Sequence, residues 1–381
     1  MLNKLNYKFL TLTLVLASSL NYIFFTYRFF KRENGYIFGD WLINYSGGFT
    51  RRGLSGDILL SFTNFFNLDI TYLTFFFVTF IYCLFVYVFI KILFRSNIDW
   101  IILLMIFSPS TFLFTLYDPL AIGRKEILFF LFFGIYLLCR NYRFFKFLGP
   151  LLSIIIILIH ELFAFMMPFF FIARYLNIKN FYYKNYYDEL FISFASVITL
   201  SFVFYFSNAD TEIICNTIRE LSFSSKICLS INDLNLHINN DGIFDTRRYV
   251  LDKYYLFYYG LFLLLIIFPI FLCLKNNFKI DLKLIFFFLI FSIFPILILF
   301  IIVNDWGRYL HIFSMFWILL LLKNNLKITR PEKKIFKILI IFLFAISWYM
   351  PHCCPEIHFS KIKYKPGLYY FFERVNIRFN N

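Results

Sequence analysis

Charge is scarce in this chain. Only 15% of its 381 residues are charged, against about a quarter in a soluble protein. Acids are the minority among them, 22 Asp and Glu against 37 Lys and Arg. So few charges exclude a soluble globular fold at this length. The basic residues are scattered between apolar runs rather than massed on one face, which excludes a nucleic-acid interface. The alternation of apolar and polar residues over ~10-residue segments that marks a membrane β-barrel is missing. So are the GxxxxGK[ST] phosphate loop and the GxGxxG dinucleotide fingerprint. The chain therefore supplies no ATP-driven transport, and no cofactor is expected. No repeat at solenoid spacing is found. The zinc-protease motif HExxH fails, because His160-Glu161 is followed by Ala164 where the second His belongs. Spaced CxxC pairs are absent too, so no metal is expected, even though Cys353-Cys354 lies near His352 and His358.

What is present is apolar bulk: 60 Phe, 61% hydrophobic residues and a mean hydropathy of +0.74. The apolar runs recur at the length that crosses a bilayer. They read as an all-α polytopic transmembrane bundle of about 10–11 spans, near 9–27, 70–90, 99–117, 120–139, 147–159, 162–174, 189–207, 254–274, 284–303, 309–322 and 335–350. Lys4 and Lys8 precede the first run without a small-residue cleavage site, so it is expected to stay as an uncleaved span.

The segment 147–174 admits one long helix or two short ones. With the N-terminus inside and the segment split at His160-Glu161, the short loops carrying Lys91 and Arg95, Arg140 and Arg143, Arg174 and Lys179, Lys275 and Lys279, and Lys323 to Lys337 all fall on the cytoplasmic side. A single helix breaks that bias and buries a His-Glu pair at its centre, which is costly. The split is therefore the expectation. It defines residues 1–350 as a membrane domain with outer loops 28–69 and 208–253, and 351–381 as a short outer tail. Cys215 and Cys228 share the second loop and can form a disulfide there.

On this topology the polar clusters share the outer face. Asp40-Trp41 is followed by Gly47-Gly48 and Arg51-Arg52, ahead of apolar residues from Leu54 to Phe66 at roughly helical spacing. Those residues predict an amphipathic helix with both arginines near its N-terminus, a setting for phosphate. Asp118-Pro119 and Arg124-Lys125-Glu126 form a turn, with positive charge kept outside against the topology rule. His160-Glu161 suits acid–base work or orientation of hydroxyls. Asp305-Trp306-Gly307-Arg308 repeats the Asp-Trp pairing, and an aromatic beside a carboxylate suits carbohydrate. Each cluster also has a structural reading: Trp41 as an interfacial anchor, Arg124 paired with Glu126, His160-Glu161 in a polar network, Arg308 paired with Asp305.

Together these motifs resemble polytopic proteins of bacterial surface-polysaccharide assembly, of the GT-C-type glycosyltransferase or O-antigen and capsule repeat-unit polymerase kind. The resemblance implies a GT-C-like bundle in the bacterial cytoplasmic membrane, a polyprenyl-phosphate- or pyrophosphate-linked saccharide as substrate, membrane lipid around it, and polysaccharide-assembly proteins as partners. For glycosyl transfer, which wants a carboxylate base and positive charge on the departing phosphate, the catalytic candidates are Asp40 as base, Asp305 second, and His160 and Glu161 to orient acceptor or donor. Substrate binding falls to Trp41, Arg51, Arg52, Asp118, Arg124, Lys125, Glu126, Trp306 and Arg308. A transporter or flippase of lipid-linked sugars, or a non-catalytic assembly subunit, are the alternatives.

Overall fold

A computed structural model describes residues 2–31, 35–178, 182, 186–220, 228, 253–276, 278, 280–303, 305–324 and 334–352. Every regular element among them is helical: α1 Leu2–Lys31, α2 Gly35–Leu42, α3 Gly53–Phe66, α4 Ile70–Arg95, α5 Trp100–Ile106, α6 Phe112–Tyr117, α7 Ile127–Cys139, α8 Phe145–Ile159, α9 Met167–Ile178, α10 Tyr187–Phe206, α11 Thr211–Arg219, α12 Lys253–Asn276, α13 Leu282–Ile302, α14 Trp306–Lys323 and α15 Lys334–Ser347. Two 3₁₀ turns, Pro119–Ala121 and Glu161–Met166, complete them. Six helical segments among the described residues are long and apolar enough to cross a membrane: Tyr7–Lys31, Ile70–Arg95, Glu161–Ile178, Tyr187–Phe206, Tyr255–Asn276 and Leu282–Ile302. Ile127–Cys139, Phe145–Ile159 and Phe336–Ser347 are shorter apolar helices. The protein is a multi-pass all-α membrane protein. In hydrocarbon only a helix satisfies its own backbone, which is why the apolar runs take this form. Large side chains such as Phe76, Phe80, Phe147, Phe194 and Phe294 point outward, an arrangement that water would penalise and lipid accepts.

The segment 99–117 is not one span. It breaks between α5 and α6 at Phe107–Thr111, where Pro109 offers no N–H and hydroxyls take over the free carbonyls. Thr111 Oγ1 lies 3.0 Å from Met105 O and 2.8 Å from Ile106 O, and the Ser108 and Ser110 hydroxyls meet at 2.8 Å. The run 120–139 also starts late, at Ile127, because Pro119 opens a 3₁₀ turn and Gly123 adopts φ 77°. In contrast, α8 does end at Ile159: His160 is extended, at φ −159° and ψ 107°, and a new turn begins at Glu161. The helix predicted after Arg52 forms as α3, but its buried face is Ser55, Gly56, Leu59, Leu60 and Thr63, while Phe62, Phe65 and Phe66 are exposed. Small residues face inward because α3 packs against α2 and α8 at close range.

The described residues belong to two compact units. One holds Met1–Tyr22, Phe89–Ile122 and Asp245–Asn381, the other Ile23–Val88 and Gly123–Phe244. In the first, α14 is buried along nearly its whole length and packs against α5, α12 and α13. In the second, α10 lies along α8, which also meets α3 and α7.

Candidate functional site

The second unit gathers three of the polar segments into one cluster. Its scaffold begins where α2 ends. Ser55 Oγ donates to Trp41 O at 3.0 Å and Gly56 N–H to Ile43 O at 3.1 Å, folding α3 back on α2. A Cβ at Gly56 would overlap the Leu42 and Ile43 carbonyls, so only glycine allows this approach. The intervening loop is laced to the α10–α11 connection: Asp210 N–H donates to Gly47 O at 2.9 Å, Asn208 N–H to Phe49 O at 3.0 Å, and Arg51 N–H to Ser207 Oγ at 3.2 Å. Arg52 closes the loop as the N-cap of α3, in the left-handed region at φ 64° and ψ 6°. That conformation costs a non-glycine residue roughly 1 kcal/mol, and side-chain contacts hold Arg52 in it.

Those contacts run to two carboxylates. Arg52 Nε lies 3.0 Å from both Glu161 oxygens and its Nη2 2.8 Å from Oε1, while Nη1 faces Asp40 Oδ1 at 3.4 Å. Arg51 Nη1 approaches the same Glu161 at 3.6 Å. The break after α8 is what delivers Glu161 here. Lys125, fully buried, donates to Arg52 O at 3.2 Å and to Ile159 O at 3.3 Å, and sits 5.8 Å above the Trp41 ring. Trp41 is buried and donates Nε1–H to Gly123 O at 2.6 Å. His160, also buried, has Nε2 3.6 Å from Glu126 and Nδ1 3.6 Å from Glu161. Both distances exceed hydrogen-bond reach, and both ring nitrogens lack a hydrogen-bond partner among the described residues. Arg124 is buried in the same unit.

Among the described side chains, four cations (Arg51, Arg52, Arg124, Lys125) meet three carboxylates (Asp40, Glu126, Glu161), leaving one positive charge in excess before His160 is counted. The cluster opens at the arginines: 22% of the Arg52 side chain is accessible against 5% of Glu161. Burial works to raise the Asp40 carboxyl, but Lys125 and Arg52 outweigh it and hold the group below its ordinary value. Burial lowers the Lys125 ammonium to about 8, with Asp40 opposing and Arg52 adding to the fall. A pair of partly accessible guanidiniums on a buried polar cluster with one positive charge in excess can receive an anion from outside without building a new cation site.

The remaining predicted residues lie in the first unit. Asp118, almost fully buried, accepts from Leu120 N–H at 3.2 Å and, through its other oxygen, from His352 N–H at 2.9 Å and His352 Nδ1 at 2.7 Å. Asp305 pairs with Arg308 one helical turn on. Trp306 donates Nε1–H to Phe300 O at 2.9 Å and stacks on the Phe300 ring at 4.6 Å. Both Trp41 and Trp306 are thus inside the protein, with their ring faces covered by its own side chains. The turn 118–126 is divided, with Asp118 in one unit and Arg124 to Glu126 in the other. Asn304, Cys353, Cys354 and His358 lie outside the described residues. Sequence reading missed two partners: Ser207, which holds Arg51, and His352, which holds Asp118. Neither sits in a motif.

No family model, no curated protein and no solved structure matches this chain. The site therefore stands on its own geometry.

Cys215 and Cys228 form the disulfide that loop position allowed. Cys215 lies on α11, whose Ile214 side chain rests against Gly47. Replacing both cysteines by Ala is expected to remove roughly 3 kcal/mol of loop-closure stabilisation. Limited proteolysis in detergent checks this: cleavage within 208–228 should quicken in the variant while α4 and α10 stay protected.

Proposed function

We propose that this chain is a membrane glycosyltransferase or polysaccharide repeat-unit polymerase. Its substrate is a polyprenyl-phosphate- or pyrophosphate-linked saccharide at the outer face of the bacterial cytoplasmic membrane. The observation that carries this reading is the Arg51-Arg52 rim above a buried carboxylate cluster, in a chain built for lipid. Phosphate on a lipid needs a cationic site at the membrane surface, and Arg offers it two-point contact. Transfer of the sugar needs a carboxylate to take the acceptor proton and positive charge to stabilise the departing phosphate. Asp40 suits the first task and Arg51, Arg52 and Lys125 the second. Glu161 sets the two guanidiniums, and His160 with Glu126 completes the buried side of the site.

Purified full-length chain mixed with lipid-linked saccharide from producing cells is expected to form longer or further-glycosylated lipid-linked product. Product at background level from well-folded protein would refute the assignment. Binding supplies a second check with a worked sign. Lys125 carries its charge below about 8 and loses it above, so an anion is held more tightly at the lower pH. Farnesyl pyrophosphate affinity should therefore fall as pH rises through that value, by about tenfold for the loss of one charged contact. Lys125→Met should bind weakly throughout and show a flatter profile. A native profile as flat as the variant's would remove Lys125 from the site.

A further inference from the structure

The first unit carries a constellation that the phosphate site does not use. Asp118 accepts hydrogen bonds from both the backbone N–H and the ring Nδ1 of His352, at 2.9 and 2.7 Å. A carboxylate on Nδ1 selects the tautomer with hydrogen there, which leaves the Nε2 lone pair as an acceptor. His352 keeps 12% of its side chain accessible, whereas Asp118 keeps 2%. No described residue reaches Nε2 within hydrogen-bond distance, and the side chain is partly accessible.

Backbone contacts hold the 351–352 segment in place. Arg308 N–H donates to His352 O at 3.2 Å, and the Tyr259 hydroxyl donates to Pro351 O at 3.1 Å. A Cβ on Gly307 would overlap Pro351 O, so the start of α14 lies directly on the 351–352 backbone. Among the described residues, the titratable groups around His352 on these elements are Asp118, Asp305, Arg308 and Tyr259. With a neutral imidazole they leave one negative charge in excess, the reverse of the arginine cluster. A phosphate is repelled by such a site, whereas an uncharged hydroxyl donor is not.

We propose that the Asp118–His352 pair forms a second ligand site, in which Nε2 accepts a hydrogen bond from a hydroxyl of the saccharide. Asp118 is the positioning residue. The choice of a saccharide as the hydroxyl donor rests on the glycosyl-transfer reading above; the open, oriented acceptor does not.

Diethyl pyrocarbonate, which acylates an imidazole nitrogen bearing a free lone pair, tests the site in the full-length chain in detergent near neutral pH, with modified peptides read by mass. His352 is expected to react and the buried His160 to stay unmodified. Asp118→Asn should slow the reaction at His352 by about tenfold, because an amide no longer fixes the tautomer. An unreactive His352, or a faster reaction in Asp118→Asn, would mean the pair is only a latch for the 351–352 segment, and the proposal falls. Delipidated polysaccharide from producing cells should protect His352 several-fold, and farnesyl pyrophosphate should not. Protection by Zn²⁺ without protection by saccharide would make this a metal site and equally overturn the inference. Failure of farnesyl pyrophosphate to bind at the arginines counts against the proposed function alone, since the labelling does not depend on it.

Discussion

Asp40→Asn is expected to bind farnesyl pyrophosphate several-fold more tightly than the native chain while losing about 10²–10⁴ of product formation. Two separate properties of Asp40 give the opposite signs. The side chain is buried and lies 3.4 Å from Arg52, so its charge offsets part of the positive excess that an anion would meet. Asn keeps the size and a carbonyl oxygen but removes the charge, which leaves the arginines freer to hold phosphate. The same change removes the proton acceptor. Lys125 and Arg52 keep that acceptor ionised, since they hold the Asp40 carboxyl down against the upward pull of burial. A binding isotherm and a product assay on one preparation separate the effects. A transporter of lipid-linked sugars predicts that binding and throughput move together. Tighter binding with full product formation would take Asp40 out of the chemistry and leave it a trimmer of charge.

Glu161→Ala is expected to be the most destabilising single change in the cluster, at about 3–5 kcal/mol, the range for breaking a buried ion pair from one side. Glu161 meets Arg52 through three contacts of 3.0 Å or less and Arg51 at 3.6 Å, and one of its oxygens faces His160. Its removal leaves two guanidiniums and an imidazole in a site that water reaches poorly. It also frees Arg52 from the contact that holds its left-handed backbone. Arg52→Gly should cost less, because Arg51 still faces Glu161 at 3.6 Å and glycine adopts φ 64° without penalty. In the double variant part of the loss should return, with a coupling of about 0.5–3 kcal/mol. Thermal unfolding in detergent reads all three. Additive losses would show that Glu161 and Arg52 are held independently, contrary to the distances between them.

How much of this was legible beforehand depends on how local each feature is. The membrane class rests on the length of apolar runs, which any stretch of the sequence displays by itself. The break at His160 was legible for a related reason: a His-Glu pair at mid-span is costly in lipid, and loop charge independently required the turn. The break within 99–117 was overlooked because Ser108, Pro109 and Ser110 are small enough to pass inside an apolar run. Only the hydroxyl contacts to Met105 and Ile106 explain how that break is tolerated. In the same way, Phe62, Phe65 and Phe66 showed helical spacing, but spacing does not say which face is covered. The close approach of α3 to α2 gave the inner face to Ser55 and Gly56 instead.

Residue types in the site were readable, and their partners were not. An Arg pair, a lone Asp, a His-Glu and a Lys-Glu each announced polar chemistry in an apolar chain. That Arg52 would meet Glu161 across 109 residues, or Asp118 meet His352 across 234, has no signature in either segment. The two tryptophans suggested open sugar platforms, but tertiary packing covered both. A polytopic helical membrane protein with a few costly polar segments could be read from the residues alone, because span length and charge placement are set by the solvent around each segment. Which of those segments form one site came from the folded chain, because ion-pair geometry depends on where distant helices end.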